Sequence, residues 1–253
     1  MRKLFTITHY EFKMQLKRIA AWGILIFATA VALIDNFPSD SNLARLEFLS
    51  QPSYFVYRTM CLDALVIVFG LMFLMSNRVS IDHKSDVKAL IMASPISKGQ
   101  YVFGKLMGNF LYTFTLLTMF LTLNTMIYYI AAPMNISITE CLAPLTKALL
   151  VCLLPVSLFI SFNSVCLPAV IDIRLFYLLI SVLFMINALQ VSSANEMPFY
   201  LISSGDLIKL VWQHPKWPFI NTGSIETNLS FLIGSSALSC LLLFVKRRFW
   251  RAE

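Results

Sequence analysis

Charge is what this chain is short of. Only 13% of its 253 residues are Asp, Glu, Lys or Arg, about half of the roughly 25% found in soluble domains. Hydrophobic residues make up 58% and the mean hydropathy is +0.75, a balance that excludes an ordinary water-soluble globule. Histidine is almost as scarce: His9, His83 and His214 lie on separate parts of the chain, and a lone His214 reads as polar surface. Five cysteines (Cys61, Cys141, Cys152, Cys166 and Cys240) are scattered with no Cys-x-x-Cys pair, which argues against zinc and thiol-redox motifs. Cys61 and Cys141 fall near one face of the expected topology, and whether they pair is left open. Serines without a His or Lys partner inside the apolar segments make no nucleophilic triad. There is no internal repeat and no low-complexity tract.

What the chain has in quantity is long apolar runs. Crossing about 30 Å of hydrocarbon takes about 20 apolar residues in helical form, and six segments approach that length: 19–34, 60–76, 106–130, 144–171, 175–194 and 229–245. Their uninterrupted character, without the alternation of barrel strands, predicts an all-α membrane protein of six transmembrane helices. The basic first 18 residues lack a small-residue cleavage pattern, so they are expected to be retained rather than removed as a signal peptide. Phe5, Phe12, Leu16 and Ile19 recur there at helical spacing among Lys3, Lys13, Lys17 and Arg18, which predicts an amphipathic helix over 1–18 lying in the membrane interface.

Orientation follows from the distribution of Lys and Arg. Fifteen of the 20 fall in residues 1–18, the 77–105 connection, Arg174 and the tail after Val245. The remaining five are Arg45, Arg58, Lys147, Lys209 and Lys216. Both termini and the 77–105 connection are therefore expected on the cytoplasmic side, in one membrane domain spanning 1–253. The net charge of +7 is accounted for by this bias and by contact with anionic lipid, with no nucleic-acid partner. The 191–228 connection mixes Phe199, Tyr200, Trp212 and Trp217 with Asp206, Lys209 and Lys216, a pattern expected of short interfacial or re-entrant helices in an extracytoplasmic loop.

Residues 99–105 spell Gly-Gln-Tyr-Val-Phe-Gly-Lys. That satisfies the first part of a phosphate-loop pattern, but Leu106 stands where Ser or Thr must hold magnesium, and three bulky residues fill a cradle that needs small ones. The same stretch has a different affinity. Pro95, Ser97 and Lys98 form a Pro-x-Ser-Lys turn ahead of Gly104 and Lys105, and a charged, helix-like run with an apolar patch at Leu90, Ile91 and Met92 precedes it. This segment resembles the cytoplasmic loop of the ATP-binding-cassette type 2 permease family. The six spans, the basic N-terminal helix and the long connection between spans five and six resemble that family's layout as well. Where many members carry Gly-Thr-Leu-Glu before the patch, this chain has Asp86, Val87, Lys88 and Ala89, leaving Asp82 and Asp86 to supply the acid.

The resemblance implies that 77–105 is a coupling loop, with Asp82, Asp86, Leu90, Ile91, Met92, Pro95, Ser97, Lys98, Gly104 and Lys105 at the contact with a separate cytoplasmic ATPase subunit. That subunit would bind the ATP and magnesium, since this chain is expected to hold no cofactor or metal and to be no enzyme itself. It further implies a second permease chain, identical or related, and residence in a bacterial cytoplasmic membrane. The cargo class implied is a peptide, an antibiotic or a lipid-like amphiphile, exported or resisted. Gly104 and Gly108 also form a small-xxx-small pair suited to close helix approach.

Inside the spans, the polar residues are amides. Asn109, Asn124, Asn163, Asn187 and Gln190 are candidates for a substrate pathway, each weighed against a helix-to-helix hydrogen bond. Charges away from the span ends are absent, with Asp63 and Lys147 expected at the hydrated outer ends, so ion antiport is disfavoured. Pro155 and Pro168 are expected to bend span four. Two other classes stay open: an immunity or sensor protein that binds an antimicrobial peptide without transport, and an ion-coupled secondary carrier.

Overall fold

The computed structural model describes residues 2–36, 51–76, 96–131, 137–192, 201–202 and 224–245, and all regular structure among them is helical. Helix α1, Arg2–Leu16, meets α2, Ile19–Asn36, at a corner of 62°. Three bonds fix that corner. The Arg18 amide donates to Gln15 O at 3.1 Å, the Trp22 indole N–H donates to Leu16 O at 2.9 Å, and the Arg18 guanidinium donates to Leu74 O at 3.2 Å. Helix α3 runs through Pro52–Arg58, a π-helical turn Thr59–Asp63, and Ala64–Met75. Helix α4 is Lys98–Ala131. Helix α5 joins Ile138–Lys147, a π-helical turn Ala148–Leu153, and Leu154–Val170. Helices α6, Ile173–Ser192, and α7, Ile225–Val245, follow.

Helix runs through each of the six apolar segments read from the sequence as far as the described residues reach. Three of them, α4, α5 and α7, are long and apolar enough to cross a membrane, or four if the bent α1–α2 pair is one broken span. Ala64–Met75 in α3 and Ile173–Ala188 in α6 are shorter apolar helices. Large apolar side chains face outward on the peripheral helices, as at Ile26 and Phe27 of α2, Leu178 and Val182 of α6, and Leu238 and Leu241 of α7. Inside, Met72, Leu116, Phe120 and Ile160 are fully enclosed. A surface apolar outside as well as inside marks a membrane-embedded protein, because water would not support so large a contiguous apolar area.

Side-chain contacts fix the direction of each helix. Ile24 lies beside Gly70 and Arg18 beside Leu74, so α2 runs antiparallel to α3. Met75 meets Thr113 and Phe55 stacks on Tyr128 at 4.1 Å, so α3 runs antiparallel to α4. Phe69 packs on Phe184 and Phe73 on Tyr177, so α6 also opposes α3. Phe159 pairs with Phe231 and Asn163 with Ser239, so α5 and α7 run the same way. The result is an alternating bundle with α3, α4 and α5 at its centre. One end gathers Lys3, Lys13, Lys17, Arg18, Lys98, Lys105 and Arg174; Arg58 and Lys147 lie toward the other.

Local chemistry explains the helix boundaries. Ser97 and Gln100 form a reciprocal capping box, each backbone N–H donating to the other's side-chain oxygen at 3.2 Å, which satisfies two orphan donors at the start of α4. Ser224 accepts the Thr227 N–H at 3.2 Å and starts α7 likewise. In α5 the π turn ends at the residue before Leu154, whose N–H reaches back to Leu149 O. Pro155 follows at once, and having no N–H to continue the α ladder it leaves the preceding turn widened. Pro168 acts differently from expectation: it sits in the last turn, and the helix stops at Val170 as Ile171 turns extended (φ −103°, ψ 168°), so it marks an end rather than a bend in mid-span. Asp63 also departs from expectation, since it is buried at 5% exposure within the π turn rather than hydrated, while Lys147 is exposed as foreseen.

The seam between α5 and α7 is polar. Ser239 donates to Asn163 Oδ1 at 2.6 Å, and the Asn163 amide nitrogen donates to Phe159 O at 3.0 Å. Removing the hydroxyl with Ser239→Ala is expected to cost about 1 kcal/mol, the scale of interhelical bonds in membrane proteins, measured by reversible unfolding in mixed micelles. An unchanged midpoint would argue against this seam.

Candidate functional site

The junction of α1 with the first turns of α4 carries the densest polar chemistry among the described residues. Positions 4, 7, 8, 11 and 15 of α1 follow helical spacing and share one face, which lies against α4. Opposite them, Gly104 and Gly108 clear a groove. A Cβ on Gly104 would come within 2.8 Å of Ile7 Cγ2, and one on Gly108 within 2.7 Å of Glu11 Cβ and 2.8 Å of the Thr8 carbonyl oxygen. The last obstacle is backbone and cannot rotate away. The small-xxx-small pair therefore seats the N-terminal helix.

Four polar side chains close the groove. Glu11, Gln15, Lys105 and Asn109 are exposed by 5%, 0%, 3% and 0%, so they must satisfy one another. The Gln15 amide nitrogen donates to Glu11 Oε1 at 3.0 Å and to Asn109 Oδ1 at 2.9 Å. The Asn109 amide nitrogen donates to Glu11 Oε1 at 3.2 Å and to Lys105 O at 2.8 Å. Lys105 Nζ stands 3.9 Å from the other carboxylate oxygen, Glu11 Oε2, and 5.6 Å from the Tyr101 ring centroid. Both carboxylate oxygens thus face positive charge or an amide donor, the condition under which a buried ion pair is tolerated. Beside the group lies half-buried Arg18, whose pKa burial lowers from the usual guanidinium value while Tyr112 and Glu11 pull it back. The polar line runs on: Thr113 donates to Asn109 O at 2.9 Å and to Met75 Sδ at 3.2 Å, and Ser161 donates to Thr113 at 3.2 Å.

Of the residues expected at the ATPase contact, Asp82, Asp86, Leu90, Ile91, Met92 and Pro95 lie outside the described residues. Ser97 caps α4, and Lys98, the first helical residue, is exposed. Gly104 and Lys105 face α1 rather than solvent. Residues 99–105 are continuous helix. Glu11 and Gln15 were not among the candidates from sequence, although their i, i+4 spacing on the side of α1 away from Lys13 and Lys17 was there to be seen.

The five pathway amides do not converge. Asn109 belongs to the α1–α4 junction and Asn163 to the α5–α7 seam. Asn124 donates to Phe120 O at 2.8 Å, and Asn187 donates to Leu183 O at 2.8 Å while accepting the Leu201 N–H at 2.8 Å. The Gln190 side chain lies outside the described set. A cavity of about 300 Å³ opens between the end of α4 and the start of α5, lined by Thr122, Thr125, Met126, Tyr129, Cys141 and Leu145 among others, and none of the five amides borders it. Its threonines turn their hydroxyls to their own backbone, at Thr118 O and Leu121 O, so its wall is apolar. The Cys141 thiol there is free. No cluster of His, Cys, Asp or Glu suited to a metal ion occurs among the described residues.

Comparison of the chain with protein-family models, with curated proteins and with solved structures finds no match.

Lys105→Met is expected to destabilise the protein by about 3 kcal/mol by stranding a buried carboxylate. Adding Glu11→Gln should recover part of that loss, giving a double-mutant coupling well above 0.5 kcal/mol. Gly108→Ala should cost about 1–3 kcal/mol through forced separation of α1 from α4. Micellar unfolding measures all three, and additive single effects would mean that Glu11 and Lys105 do not interact.

Proposed function

We propose that this chain is the membrane-spanning subunit of an ATP-driven transporter, with six spans and both termini in the cytoplasm. One observation carries the proposal: the segment that resembles a coupling loop feeds, through the Ser97 cap, straight into the turns of α4 that hold α1. The alternating helix directions suit six spans. The cationic end shared by α1, the start of α4 and the start of α6 suits the cytoplasmic face by the positive-inside bias. A separate ATPase binds ATP and magnesium and docks on Asp82, Asp86, Leu90, Ile91, Met92 and Pro95. Closure of two ATPase copies displaces these loops, and the displacement enters each permease chain at Lys98.

Two permease chains form the pathway between them, and the cargo is a peptide, antibiotic or lipid-like amphiphile moving outward. Nucleotide shifts the conformational balance only as far as the ATPase binds it differently in the two states.

The test is co-expression with the chromosomal neighbours, purification through a tag on this chain, and assay of co-purifying ATP hydrolysis. Met92→Asp is expected to reduce retained ATPase by about thirtyfold, the loss of one interface hot spot of about 2 kcal/mol. A folded wild-type chain that brings no ATPase would overturn the proposal.

A further inference from the structure

Helix α1 has three sides. One, with Glu11 and Gln15, is locked into α4. The second holds Phe5, Phe12 and Leu16 at i, i+7 and i+11. Phe12 and Leu16 are half-buried against the core, and Phe5 is 72% exposed beyond them. The third holds Lys13 and Lys17, one turn apart and exposed, next to Tyr10 at 67% exposure. No described acidic residue bonds either lysine, and the only acid on α1 is Glu11, turned to the opposite side and held by Lys105. The 62° corner, pinned by Trp22 and Arg18, turns α1 away from the line of α2. With α2 crossing the bilayer, α1 lies closer to its plane, its exposed Phe5 toward the acyl chains and its lysines at headgroup level.

We propose that the Lys13–Lys17 face of α1 is a binding surface for acidic phospholipids. Two uncompensated cations beside an apolar flank complement an anionic headgroup on an acyl chain. Each cation near an anionic membrane surface strengthens attraction about fivefold, so the pair is expected to favour an anionic over a zwitterionic lipid by about thirtyfold. This surface needs a membrane-embedded chain but no ATPase, so the failure of transport would leave it standing.

The experiment is native mass spectrometry of the full chain in mild detergent, titrated with phosphatidylglycerol or phosphatidylcholine of the same acyl composition. Preferential retention of phosphatidylglycerol, lost in Lys13→Gln/Lys17→Gln and kept in Lys13→Arg/Lys17→Arg, is the expected result. Phe5→Ser should weaken both lipids alike. Equal retention of the two lipids by the wild type, a preference that survives the glutamine pair, or displacement of phosphatidylglycerol by millimolar inorganic phosphate would each overturn the assignment.

Discussion

The close approach of α1 to α4 is the constraint on which the rest of the cationic end depends. Two glycines four residues apart remove the side chains that would hold the helices apart, and at Gly108 the neighbour is the Thr8 carbonyl, which has no rotamer to yield. Once the helices are that close, water is excluded and Glu11 must find its partners inside the protein. Asn109, Gln15 and Lys105 are those partners, and they come from the same two helices. The packing creates the need for the polar group, and the polar group fixes the register of the packing. Neither glycine nor glutamate has a structural rationale without the other.

The same logic, at lower stakes, governs the remaining polar residues. Away from water an unmet hydroxyl or amide costs several kcal/mol, and many here bond within one turn of their own helix: Ser157 to Leu153 O, Thr125 to Leu121 O, and the Asn124 amide nitrogen to Phe120 O, while Asn124 Oδ1 is buried without a partner among the described residues. Such bonds leave little for a neighbouring helix or a passing solute. Asn163 with Ser239, and Thr113 with Ser161, are exceptions that cross between helices. The amides are thus mostly structural as placed, and the apolar hollow beside Tyr129 is the more open space.

The class of the fold was legible in the sequence because lipid allows so few solutions: long apolar runs without charge leave only helices. The six segments, the N-terminal helix and the Gly104–Gly108 groove followed from period and composition. Other features were not legible, for physical reasons. Burial of Glu11 depends on which helix faces α1, and no local pattern encodes a contact 94 or 98 residues away. Lys105 reads as a loop cation because its Gly-Lys context matches a docking pattern, whereas its side chain turns to the Glu11 carboxylate on α1. Ser97 carries a role visible in four letters, Ser-Lys-Gly-Gln, as a capping box that overlaps the Pro-x-Ser turn. Asp63 was placed at a hydrated end by counting residues, but the π turn around it adds a residue to the helix turn and keeps it enclosed.

The polar ties are unequal, and that inequality divides the bundle. Between α1 and α4 stand a buried ion pair and two interhelical amide bonds; between α5 and α7 stand the Asn163 contacts with Ser235 and Ser239. From α4 to α5 runs a side-chain bond of Thr113 with Ser161 at 3.2 Å, of the kind worth about 0.6 kcal/mol between helices in lipid. Dispersion packing between apolar faces resists separation but resists sliding far less than a directional charged contact does. A displacement entering α4 at its capped start is therefore carried to α1 as one body, and the polar resistance to moving that body against α5 and α7 is small. On the proposed coupling role, the charged junction would make α1 part of the moving element.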